Sequence, residues 1–144
     1  MKRYVKSKEL TNPIRSRIIV CGGRHYSNYD YLEMIVDATL EKYDLNMDEV
    51  EFVSGHCAGA DILGELYAKK HNIRCTMFPA EWEKYGRPAG PIRNSQMIEY
   101  ASEADIPIVI AFVSPRTKGT IDTVQKARRK GFGIIINEYN SDNK

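Results

Sequence analysis

The sequence predicts an α/β fold: a doubly wound parallel sheet of about five strands, in the order 3-2-1-4-5, with helices on both faces. Three observations carry this. Short apolar runs rich in β-branched residues alternate with amphipathic segments along the chain. No hairpin signal joins two runs, so successive strands should be parallel and linked through helices. Most runs stop at glycine or proline, where a loop into a helix should open. Right-handed crossovers then make 3-2-1-4-5 the simplest topology.

Taken in order, Arg17-Ile-Ile-Val-Cys21 is the first strand and ends at Gly22-Gly23. A helix from about Tyr29 to Tyr43 follows, with Leu32, Ile35, Val36, Leu40 and Tyr43 at helical spacing and Ser27 or Asn28 as N-cap. Val50 to Ser54 is the second strand, and Ala60 to His71 the second helix, with Ile62, Leu63, Leu66 and Tyr67 on one side. Ile73 to Phe78 is the third strand. An irregular stretch from Ala80 to Gly90 comes next, before a helix from near Pro91, a good first-turn residue, to about Ala104. Ile106 to Val113 is the most apolar strand. Thr120 is expected to cap the fourth helix and Gly131 to stop it, and Gly133 to Tyr139 is the fifth strand.

A chain of 144 residues with 42% hydrophobic and 28% charged side chains is the size and make-up of one globular domain. Residues 17–139 should form it, between a basic N-terminal arm over 1–16 and a polar tail over 140–144. Residues 1–17 hold Lys2, Arg3, Lys6, Lys8, Arg15 and Arg17 against Glu9 alone, so 15 basic and 18 acidic residues remain for the rest. A net charge of +2 does not by itself imply nucleic acid, and no aromatic-interleaved basic stripe supports one. Cys21, Cys57 and Cys75 form no CxxC pair, which fits a reducing compartment and opposes a structural zinc site. The N-terminus lacks the apolar stretch of a secretion signal, and no run approaches the roughly 18–20 apolar residues of a membrane span. A cytoplasmic protein without a membrane is expected.

Ligands of open parallel sheets bind beyond the carboxyl ends of the strands, and four such ends here are unusual. Gly22-Gly23-Arg24 lets backbone approach a ligand closely. Ser54-Gly55-His56-Cys57-Ala58-Gly59-Ala60-Asp61 leads small residues into a helix N-terminus, a potential anion site, although neither P-loop nor dinucleotide spacing is met. Asp61 would either complement the helix dipole or bind a hydroxyl, a base N–H or a nearby arginine. In the long third loop, Arg87, Arg93 and Asn94 stand near a helix start, where a cation opposes the dipole unless an anion is bound. Trp82 and Tyr85 there could stack on a base or anchor their own loop. The fourth end, Ser114 to Thr120, sets Gly119 and Thr120 at a helix N-terminus between Arg116 and Lys118.

GGR-x-Y, SG-x-x-x-GAD, FPAEW-x-x-YGRPAGPIRN-x-x-M and a late GT before a helix together resemble the YspA-like branch of the SLOG superfamily, over roughly residues 17–138. That superfamily includes the LOG-type phosphoribohydrolases and the DprA/Smf DNA-processing proteins. The resemblance implies a Rossmann-like domain binding nucleotides or their derivatives, ADP-ribose-like molecules among them, and permits a homodimer. Arg93 matches an arginine of the LOG-type enzymes, but threonine (Thr123) stands where their PGGxGTxxE motif places a catalytic glutamate. A threonine cannot do a carboxylate's work. Asp122 is one residue away, about 100° round a helix. Where relatives commonly read SGGARGAD, this chain has His56, which could act as a base, and Cys57, a nucleophile without an evident partner.

The expected function is binding or sensing of a nucleotide or nucleotide-derived ligand, ADP-ribose- or NAD-like or a nucleoside phosphate, with no further cofactor required. The candidate ligand-binding residues are Gly22, Gly23, Arg24, Ser54, Gly55, Gly59, Asp61, Arg87, Arg93, Asn94, Gly119 and Thr120. Arg24, Arg93, Gly119 and Thr120 would hold phosphates and Asp61 a hydroxyl. The alternatives are a nucleotide-processing hydrolase, with Asp61, Glu81, Glu83 or Asp122 as the carboxylate, and a DprA-like DNA-binding protein using the basic arm.

Overall fold

The computed structural model describes residues 2–4, as backbone, and 12–140. Five parallel strands form the body of the sheet: β2 (Ser16–Gly22), β3 (Val50–Ser54), β4 (Arg74–Met77), β5 (Ile106–Val113) and β6 (Gly133–Glu138). Their order, β4-β3-β2-β5-β6, is the predicted 3-2-1-4-5. A sixth strand, β1 (Lys2–Tyr4), lies antiparallel on the outer edge of β4. Part of the presumed arm therefore caps the sheet. Its Lys6 and Lys8 lie outside the described residues, as do positions 141–144 of the tail.

The alternation of side chains along the strands sorts the core into two layers. Ile18, Val20, Phe52, Ile108 and Ile110 point to the face covered by α1 (Tyr29–Lys42) and α2 (Ala60–Lys70), against Leu32, Val36 and Tyr67. Ile19, Cys21, Val53, Val109 and Ala111 point to the other face. There they meet Met97, Ile98 and Ala101 of α4 (Ala89–Ala101) and Val124 and Ala127 of α5 (Lys118–Arg129). Both faces are buried, as a parallel sheet requires.

Helix starts differ from expectation in two places that matter. The Asn28 side chain caps α1 by accepting the Tyr31 N–H, as expected. α4, however, begins at Ala89, so Pro91 is its third residue, where a missing N–H still costs no helical hydrogen bond. The stretch before it is not wholly irregular: Trp82–Tyr85 is a single helical turn, α3. α5 begins at Lys118 with Thr117 at its N-cap position, so Thr120 is not the cap but a buried residue of the first turn. The Thr117 hydroxyl instead closes its own loop, accepting from Ser114 N–H and donating to the Ser114 carbonyl. Gly131, with φ of +79°, terminates α5 as predicted.

Two cations assigned to the basic segment are absorbed by the fold. Arg15 pairs with Glu49 at 3.3 Å. Arg17 pairs with Glu51 at 2.8 Å and Glu103 at 3.1 Å, with its guanidinium 3.8 Å from the centre of the Tyr100 ring. Glu51 is buried in the sheet and also accepts from Thr76 and Tyr100, so its charge is fully compensated. No helix among the described residues is long and apolar enough to cross a membrane.

Candidate functional site

The carboxyl ends of β2 to β5 open onto one cavity of about 600 Å³. Its walls come from Cys21–His25 at the end of β2 and beyond, Cys57 and Asp61 after β3, Trp82 and the first turns of α4, and Ser114 and Arg116–Thr120 with Asp122 and Thr123 of α5. Of the twelve candidate residues, Gly22, Gly23, Arg24, Asp61, Arg93, Asn94, Gly119 and Thr120 line it. Ser54, Gly55, Gly59 and Arg87 do not.

Three of those four build the wall from behind. A Cβ on Gly59, which has φ of +88°, would sit 2.1 Å from the Gly23 carbonyl oxygen, so only glycine lets the second loop cross the first there. The adjoining Ala60 N–H donates to that same carbonyl at 3.3 Å. Gly55 packs under Arg93, whose Nη1 donates to its carbonyl at 2.7 Å. The Ser54 hydroxyl donates to Glu65 at 2.7 Å and accepts the His56 N–H at 3.0 Å. Arg87 is exposed on the turn between α3 and α4. Gly23 is glycine for a similar steric reason, since a Cβ would lie 1.8 Å from the Tyr139 hydroxyl oxygen.

Arg93 is the fifth residue of α4, not a first-turn residue, so the helix dipole opposes it less than its expected position would require. Its guanidinium is held by the protein. Besides Gly55, Nη1 points at the Cys57 sulfur at 3.7 Å, and Nε donates to Asn94 Oδ1 at 2.9 Å. Asn94 in turn donates to Asp122 Oδ2 at 3.0 Å and to the Gly119 carbonyl at 3.3 Å. Cys57 N–H donates to Asp61 Oδ2 at 3.3 Å. A continuous polar strip, Asp61–Cys57–Arg93–Asn94–Asp122, thus crosses one wall.

The two carboxyls at its ends differ. Burial pushes Asp61 from 3.8 up to about 7, against the opposing pull of the Cys57 N–H and the Arg93 charge. Asp122 is held below the usual carboxylate range by Lys126, 2.8 Å away, and by Asn94, which together outweigh its own partial burial. Although one residue from the expected glutamate position, Asp122 lines the cavity together with Thr123. Glu81 and Glu83 are exposed outside it.

His56, in the left-handed region with φ of +60°, turns away from the cavity and bonds through Nδ1 to Glu65 at 2.9 Å. Glu65 and Tyr139 were not anticipated from the sequence. Tyr139 follows β6 and packs its ring on Tyr26, 5.0 Å between centres. A tyrosine just before a polar tail gives no sequence signal of its place at the site. Cys21 and Met97 complete the floor, and the buried Cys21 thiol is pushed far above its ordinary range by burial.

A doubly wound parallel sheet with a glycine-walled cavity beyond its carboxyl edge defines a Rossmann-like α/β domain. The family model described as YAcAr, the YspA, cpYpsA-related SLOG family, matches residues 16–85, and over that stretch the chain is similar to the YspA-like branch of SLOG proteins. That similarity points to a nucleotide-related function. The matched stretch ends before Arg93, so the α4 and α5 walls lie beyond it. The chain is also similar to the Gene 61 protein of Mycobacterium phage D29, 23% identical over 124 residues that cover 83% of this chain and 94% of that one. No solved structure matches it.

Proposed function

We propose that the cavity binds a nucleotide or nucleotide-derived ligand, of the ADP-ribose or NAD type or a nucleoside phosphate. The observation that carries this reading is convergence: eight candidate residues from four separate strand-to-helix junctions line one space of about 600 Å³, within the range of small-ligand sites. The start of α5 supplies orphan N–H groups with Lys118 beside them, and a Cβ on Gly119 would meet nothing within 4 Å, leaving room for a phosphate. Arg24, exposed at the rim, adds a second cation.

A thermal-shift series with nucleoside monophosphates, ADP-ribose and NAD tests the reading. A ligand at 100 times its Kd adds about 2.7 kcal/mol of stability, a rise of several degrees in Tm. Arg93→Ala should weaken the best binder by about 10- to 100-fold, the worth of one or two charge-assisted hydrogen bonds. Absence of any shift with every phosphate-bearing compound would defeat the proposal.

A second reading, hydrolysis of the bound nucleotide, is favoured by one observation. Asp61 and Asp122 line the same cavity with proton affinities pushed in opposite directions, the arrangement that separates an acid from a base. Recovering the ligand unchanged after prolonged incubation leaves binding; released base or ribose phosphate supports turnover.

A further inference from the structure

Trp82 is the sole tryptophan of the chain, and it is 54% exposed. It is the most exposed aromatic side chain among the described residues. An indole left in water forgoes burial worth a few kcal/mol, and a ring serving to anchor its own loop would be covered. Trp82 is not: among the described residues no other ring pairs with it and its N–H has no hydrogen-bond partner.

Its backbone, by contrast, is fixed. Gly86 N–H donates to the Trp82 carbonyl at 2.8 Å, and Lys84 and Tyr85 N–H donate to the Glu81 carbonyl at 3.1 and 3.0 Å. Gly86, with φ of +66°, then turns the chain directly into α4. The indole is thereby carried to the cavity wall beside Gly90, where even an added Cβ would reach it only at an ordinary contact of 3.6 Å. Gly90 and Pro91 bring no polar side chain to this flank. The flank formed by Lys118 and Gly119 at the start of α5 offers backbone N–H groups and a cation instead. One flank suits a flat apolar ring and the other an anion.

We infer that the ligand carries an aromatic base and that Trp82 is the platform on which it stacks, selecting nucleotides over sugar phosphates that lack a base. This rests on the nucleotide reading above. Tyr85, the other aromatic of the turn, does not line the cavity.

The test uses the full chain, with adenosine, guanosine, cytidine and uridine 5′-monophosphates, ADP-ribose, ribose 5-phosphate and inorganic pyrophosphate as probes in isothermal titration calorimetry. At least one base-bearing probe should bind about 10- to 100-fold more tightly than ribose 5-phosphate, the range that stacking on one aromatic confers. That probe should also change the emission of the lone tryptophan. Trp82→Ala should erase the advantage while leaving ribose 5-phosphate affinity and Tm unchanged, and Trp82→Phe should retain most of it. The inference alone is overturned if base-bearing probes bind no better than ribose 5-phosphate, if they leave the emission unchanged, or if Trp82→Ala binds them as the parent protein does. If no probe binds, pyrophosphate included, the nucleotide reading falls and this inference with it.

Discussion

At the level of single residues, Asp61 shows how two electrostatic effects compete. As the second residue of α2 it stands where a carboxylate gains about 0.3–1 kcal/mol from the helix dipole. Yet it is only 6% exposed, and burial raises its pKa to about 7. Burial therefore outweighs the Cys57 and Gly22 N–H groups and the Arg93 charge together. The consequence for stability has a definite sign. Between about pH 4 and 7 the folded protein keeps a proton on Asp61 that the unfolded chain has lost, so this group lowers stability as pH rises through that window. Asp61→Asn preserves an acceptor for Cys57 and removes the titration. Its Tm should exceed that of the parent at pH 8, by an amount worth up to a few kcal/mol, and the gain should vanish below pH 4. A Tm difference that does not depend on pH would show that Asp61 is ionised throughout the range.

At the level of elements, what was legible in the sequence follows from what each signal measures. Val50–Ser54 and Ile106–Val113 were readable to the residue because apolar β-branched runs report burial on both faces. β1 was not, since Lys2-Arg3-Tyr4 carries no apolar pattern and gains its place by pairing with β4. The start of α4 shifted by two residues because proline is tolerated throughout the first turn, so Pro91 alone could not set the boundary. For the site, the strand-end loops were legible, but steric support was not distinguishable from ligand contact. Gly55 and Gly59 look like phosphate-loop glycines and instead make room for Arg93 and for the Gly23 carbonyl. Gly59→Ala should accordingly cost about 2–4 kcal/mol, through both its left-handed φ and the 2.1 Å clash. Urea denaturation would measure this. Gly119→Ala, where nothing lies within 4 Å, should leave stability within about 0.5 kcal/mol of the parent. Equal stability of the two variants would contradict the packing of the second loop against the first.

At the level of the whole molecule, charge placement argues against a DNA-binding role for the N-terminal segment. Six basic residues in positions 1–17 look like a phosphate-binding arm, but the fold divides them. Arg15 and Arg17 are committed to Glu49, Glu51 and Glu103. Lys2, Arg3, Lys6 and Lys8 remain, ahead of a domain in which acidic residues outnumber basic ones. Non-specific duplex binding is driven by counterion release and its salt slope is about −0.9 per phosphate neutralised, so four cations set a ceiling near −4. The protein should therefore bind a labelled 20-base-pair duplex with Kd weaker than about 100 μM at 0.15 M salt, at or beyond the weak end of non-specific binding. Fluorescence anisotropy over a salt series supplies both numbers. A slope steeper than −6, or micromolar affinity at physiological salt, would require cations from beyond this segment and would return DNA to the list of partners. With the predicted shallow slope, the orphan N–H groups and rim cations of the cavity are left to a small anionic ligand. On that outcome Arg24 and Lys118 are the first positions to neutralise, and neutralising them should lower affinity for the nucleotide while leaving the residual DNA affinity unchanged.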